Sequence, residues 1–114
     1  MCSNIQMEII AEEIIVKHLD KSVLDIIDIE IKELPNNINA RVGITRNGKN
    51  VTNVVLEINK ELKSRSYELI ESVIEHEVVH IATEMLSESN QGHNEKFFAM
   101  ANKLGIETKE YRRV

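Results

Sequence analysis

Two histidines four residues apart, with a glutamate directly after the first, occur at His76-Glu77-Val78-Val79-His80. On a helix, positions i and i+4 lie on one face about one turn apart. Two imidazoles so placed can both reach one metal ion, and nitrogen donors suit zinc. Glu77 stands about 100° round the helix from His76. That is close enough to approach a water beside the metal without ligating it. A carboxylate in that place can take a proton from water as it attacks a carbonyl. The chemistry implied is zinc-dependent peptide hydrolysis of the zincin type, with one catalytic Zn2+ and Glu77 as general base. The bland alternative is a pair of ordinary histidines on a helix.

The surroundings weigh against the bland alternative. Leu69, Val73, His76 and His80 run along one stripe, among further apolar residues. Two buried histidines and a buried carboxylate are costly without a partner cation, and one zinc ion would satisfy all three. A catalytic zinc needs a third protein ligand and an open position. His93 is the best candidate, 13 residues after His80, and it shares a stripe with Phe97, Met100 and Leu104. Glu84, Glu88 and Glu95 are rivals for that place, and a solvent-exposed His93 at a helix start is the plain alternative. His18, far upstream, is read as unrelated.

Hydrophobic periodicity supplies the elements that must hold these residues. Ile5, Ile9, Val16 and Leu19 among Glu and Lys predict an amphipathic N-terminal helix over about 5–19. From Ile27 the period changes to two, and Ile27, Ile29 and Ile31 predict a strand that ends before Pro35-Asn36-Asn37. Ala40, Val42 and Ile44 predict a second strand, and Val54, Leu56 and Ile58 a third. Asn47-Gly48 between them predicts a tight antiparallel hairpin turn. A long helix follows over about 66–86, capped by Ser66, with Ile70, Ile74, Val78, Ile81 and Met85 on its apolar face. A last helix runs from His93 to Leu104, with Gly105 as its C-terminal cap. The order predicts one α+β domain over 1–114: an N-terminal helix, a three-stranded, mostly antiparallel sheet, the zinc helix and a C-terminal helix.

These segments together resemble the SprT-like zinc metallopeptidases, the group that includes Spartan. The likeness rests on His76-Glu77-Val78-Val79-His80, then Gly92-His93-Asn94-Glu95-Lys96-Phe97, then Leu104-Gly105. The family's pattern is a His-Glu-x-x-His helix, a variable loop, and Gly-His-Gly-x-x-Phe opening a helix that ends in Leu-Gly. Val54 to Ile58 with Asn59-Lys60-Glu61-Leu62 looks like its apolar strand and the link before the zinc helix. The resemblance covers roughly residues 40–105. It implies a zincin-like fold, His76, His80 and His93 as zinc ligands, Glu77 as catalytic acid/base, and work on DNA-associated proteins. Two positions depart from the pattern: Val79 where the family often has Ala, and Asn94 where it has Gly. With one cysteine, Cys2, the family's frequent zinc ribbon has no counterpart.

Composition narrows the rest. Hydrophobic residues make up 42% and aromatics 4%, so the core is aliphatic. A single cysteine rules out an internal disulfide and fits a reducing compartment. No apolar run is long enough for a bilayer, and residues 1–7 lack the features of a signal peptide, so the expected location is cytoplasmic, with no membrane contact. The formal charge of −5, from 19 acidic and 14 basic side chains, argues for weak or indirect DNA contact. Arg41, Arg46 and Lys49 around the hairpin form the one suggestive basic group, read as a solvated edge. Tyr67 and Tyr111 are candidates for oxyanion stabilisation, with packing as the plainer role. The segment 109–113 is read as a docking segment or a frayed end. The expected partner is a protein or peptide substrate. The alternative function is a zinc-bound binding or regulatory protein of the same fold with weak turnover or none.

Overall fold

A computed structural model describes residues 3–48, 50–86 and 95–106. It is an α+β fold of three helices and a three-stranded mixed sheet: α1 (Asn4–His18), β1 (Ile27–Lys32), β2 (Ala40–Asn47), β3 (Asn50–Asn59), α2 (Tyr67–Leu86) and α3 (Glu95–Leu104). Two short 3-10 helices, Lys21–Asp25 and Lys60–Ser64, join α1 to β1 and β3 to α2. The sequence reading left both out, because five residues are too few to show a period. No helix among the described residues is long and apolar enough to cross a membrane.

Each helix begins or ends where its local chemistry stops it. Ser3 and Gln6 form a reciprocal capping box at the start of α1. Ser66 Oγ accepts from the Leu69 amide at the start of α2. Gly105, with φ +75°, ends α3. Its amide donates to the Asn102 carbonyl and the Ile106 amide to the Ala101 carbonyl, the paired bonds of a Schellman cap. Only glycine adopts that backbone without strain.

The expected inner face of α1 is corrected. Ile5, Ile9 and Val16 are exposed; Met7, Ile10, Ala11, Ile14 and Ile15 are buried. The helix is apolar on two sides, and the buried set repeats at i, i+3, i+4, i+7 and i+8. That stripe is broader and covers the core more fully.

The sheet order is β1-β3-β2, with β3 antiparallel to β2 but parallel to β1. The expectation of a mostly antiparallel sheet therefore holds for one of the two pairings. The hairpin returns β3 into the gap between β1 and β2, and a central strand in that place must run alongside β1. Burial explains the choice of centre. Val54, Leu56 and Ile58 are fully buried, and Val55 on the other face is partly covered. The apolar residues of β1 and β2 are only partly buried. The turn also differs by one residue. Asn47 pairs with Asn50, so Asn47 belongs to the strand and the turn starts at Gly48, with φ +65°.

Asn59 at the end of β3 holds the chain where residues 33–39 cross over that strand. Its Nδ2 donates to the carbonyls of Leu34, Pro35 and Ile38 at 3.3, 3.4 and 2.9 Å. Its Oδ1 accepts from the Glu61 amide at 3.0 Å, and its own amide donates to the Asn39 carbonyl. The side chain is buried, so removing it strands several polar groups away from water. Asn59→Ala is expected to cost about 2–4 kcal/mol. Thermal denaturation would show a melting temperature lower by roughly 10–15 °C.

One face of the sheet and the inner sides of α1 and α2 enclose the core. The other face is polar. There Glu57 accepts hydrogen bonds from Arg41 Nε and from Lys32 Nζ at 3.3 Å. The bond from Arg41, above all, holds the Glu57 carboxyl below the usual carboxylate range, against a smaller opposing effect of burial.

Candidate metal centre

The arc of α2 that carries the histidines is set by what the rest of the helix must pack against. Ile70, Val73, Ile74 and Val78 enter the main core. Val79 belongs to a second cluster with Ala101 and Ile106, which seats α3 on α2. At 100° per residue, His76 and His80 occupy the arc between these two packed sides.

His76 is 6% exposed and His80 is half-buried. Their ring centroids are 4.8 Å apart, with the rings edge to face at 75°. Glu77 is 8% exposed. Burial pushes its carboxyl up to about 8. Among the described residues, no neighbouring charge offsets that desolvation. Two imidazoles side by side, next to an uncompensated buried carboxyl, are a donor set that a divalent cation fits. The nitrogens supply ligands, and the positive charge offsets the cost of ionising Glu77.

The described residues bring together His76, Glu77 and His80 and no third ligand. Among them, no group of three His, Cys, Asp or Glu side chains could hold a metal ion. His93 and Glu88 lie outside the described residues, as do Lys49, Tyr111 and the segment 109–113. The chain is described again from Glu95, where α3 starts.

Glu84, one of the rival ligands, is held elsewhere. Arg46 Nη2 donates to its Oε1 at 2.8 Å and also to its main-chain carbonyl. That carbonyl lies in the last turn of α2, where no helical amide is free to reach it. A cation there also suits the negative end of the helix dipole. The sequence reading missed this contact, since the partners are 38 residues apart and no local spacing links them. The contact ties the end of β2 to the end of the histidine helix. Tyr67 is exposed at the first turn of α2, nine residues before His76, or about 13 Å along the axis. It is too far away to serve as an oxyanion donor at the histidines.

The sequence model of the SprT-like family matches residues 13–112. The chain belongs to the SprT-like family. The match takes in α2 and α3 and the sequence positions of all four candidate site residues, and it extends well beyond the segment that carried the resemblance. Comparison with curated proteins and with solved structures gave no match.

Proposed function

We propose that this SprT-like chain is a zinc-dependent peptidase of the zincin type. The reading is carried by one observation: His76 and His80 stand ring to ring on α2, beside a buried Glu77 carboxyl raised to about 8. His76, His80 and His93 would hold the ion. Zinc held there would supply a Lewis acid that polarises a peptide carbonyl and acidifies water. Glu77 would take the proton from the attacking water and pass it to the leaving amine. Zinc beside the carboxyl would favour its ionised form, the form that takes the proton.

Substrate would lie as an added strand on the sheet edge, with its main chain hydrogen-bonded to the protein. β2 is the edge strand nearer the histidine helix, to which Arg46 and Glu84 fasten it. That fastening would keep the bound peptide in register with His76 and His80.

Purified chain loaded with zinc is expected to bind one ion and to cleave an unfolded protein substrate. A chelator should abolish cleavage, and added zinc should restore it. His93→Ala should lose most of the metal by elemental analysis. Equal metal in wild type and variant would remove His93 from the ligand set. Bound zinc without turnover would leave the alternative of a zinc-bound binding protein.

Weak DNA contact belongs to the same proposal. The hairpin arginines are engaged within the fold, Arg41 with Glu57 and Arg46 with Glu84. With those two arginines occupied, the one suggestive basic group of an acidic chain offers fewer cations to phosphates. The isolated protein is expected to bind single- and double-stranded DNA more weakly than micromolar at physiological salt. A steep salt dependence with submicromolar affinity would overturn that.

A further inference from the structure

On the side of α2 turned away from the histidines, the end of α1, the first 3-10 helix, α2 and α3 surround a cavity of about 290 Å³. Ala82, in its wall, stands about 200° round the helix from His80. The walls are mostly apolar and include Val23, Ala82, Met100 and Leu104. His18 also lines the cavity. Its side chain is 8% exposed, and among the described residues its Nε2 makes no hydrogen bond. Its ionic contact is Glu75 Oε2, at 3.5 Å. A buried ring nitrogen without a hydrogen bond is costly, and a bound group that completes it recovers that cost.

We propose that this cavity is a binding site for a small uncharged amphipathic molecule, an alcohol or phenol, with its hydroxyl on His18. A cavity of 150 Å³ takes benzene, so this one holds roughly twelve non-hydrogen atoms. The apolar walls fit a hydrocarbon body. Lys103 and Asp20 in the lining are both exposed and opposite in charge, so the Glu75 carboxylate, 3.5 Å from His18 Nε2, sets the charge where the hydroxyl would sit and disfavours an anion there. A hydroxyl both donates and accepts, and so meets His18 in either tautomer. Asp20 is exposed, so solvent already meets its carboxylate, and its Oδ1 accepts from the Ser22 amide. Met85 and Met100 supply flexible walls that adapt to different bodies. Leu104 lines the cavity and also packs against the cluster that seats α3 on α2. An occupant therefore bears on the position of α3. The inference stands apart from the metal site and does not depend on turnover.

The test is a titration of the full-length protein with 1-octanol, followed by amide NMR shifts, with octanoate as the charged counterpart. Octanol is expected to bind with Kd at or below about 1 mM. The shifts should centre on Val23, Ala82 and Leu104, and octanoate should bind at least fivefold more weakly. His18→Phe should weaken octanol binding about five- to tenfold. Ala82→Met should abolish it by filling the space. Should that variant fail to fold, Met85→Trp narrows the cavity from a position that is already 37% exposed. No binding up to the solubility of octanol would overturn the proposal. So would equal affinity in a folded cavity-filling variant, or octanoate binding as tightly as octanol.

Discussion

Glu77→Gln is expected to lower peptidase turnover at least a hundredfold while one zinc ion per chain is retained. The glutamine matches the glutamate in size and removes the proton acceptor. General acid–base catalysis by a positioned side chain is worth about 10² to 10⁴ in rate. On the proposed reading Glu77 serves twice, in taking the proton and in returning it, so the upper part of that range applies. Zinc should stay because the proposed ligands are histidines, and Glu77 sits about 100° from His76 on the helix. The measurement pairs a peptide-cleavage assay with elemental analysis of the same preparation. Retained turnover would remove Glu77 from its role. Loss of zinc together with turnover would make Glu77 a ligand, or a residue that holds the site together.

The parts of the site legible in the sequence are those that lie close together in the chain. His76, Glu77 and His80 are set by the helical repeat alone, and the apolar residues around them announced their burial. The same holds for β3, whose Val54, Leu56 and Ile58 alternate cleanly and are all buried. Where two local patterns compete, the sequence is ambiguous. α1 offers an apolar stripe on either side, and only its packing partners decide between Ile9 and Ile10. Non-local contacts leave no periodic trace. The parallel pairing of β1 with β3 depends on where the hairpin inserts. Arg46 finds Glu84 across 38 residues, and His18 meets Glu75 on the side of α2 turned away from the histidines. Three carboxylates of α2 are thus sorted by the fold: Glu75 meets His18, Glu84 meets Arg46, and Glu77 has no charged partner among the described residues.

Metal-free protein is expected to lose stability as pH rises from about 4.5 towards 8, the opposite of the usual effect of a paired carboxylate. In the unfolded chain the Glu77 carboxyl has its ordinary value of 4.5; burial in the folded chain raises it to about 8. Below 4.5 it is protonated in both states and does not affect the balance. Between the two values the unfolded chain releases its proton and the folded chain keeps it. The unfolded state binds fewer protons there, so stability falls with rising pH. Above about 8 both states are ionised and the loss is complete. At about 1.4 kcal/mol per unit, the span amounts to a loss on the order of 5 kcal/mol, against a whole-domain stability of about 5–15 kcal/mol. A zinc ion beside the carboxyl favours its ionised form, so zinc-loaded protein should show a flatter profile. Denaturant unfolding of metal-free wild type and Glu77→Gln at pH 5, 6, 7 and 8 tests this. His76 and His80 are common to both proteins, so the difference between the two curves isolates the carboxyl. The curves should diverge with pH, with the variant the more stable at pH 8. Parallel curves would mean that Glu77 ionises in the folded protein as freely as in the unfolded chain, and its assignment as a proton-holding base in a dry site would fail.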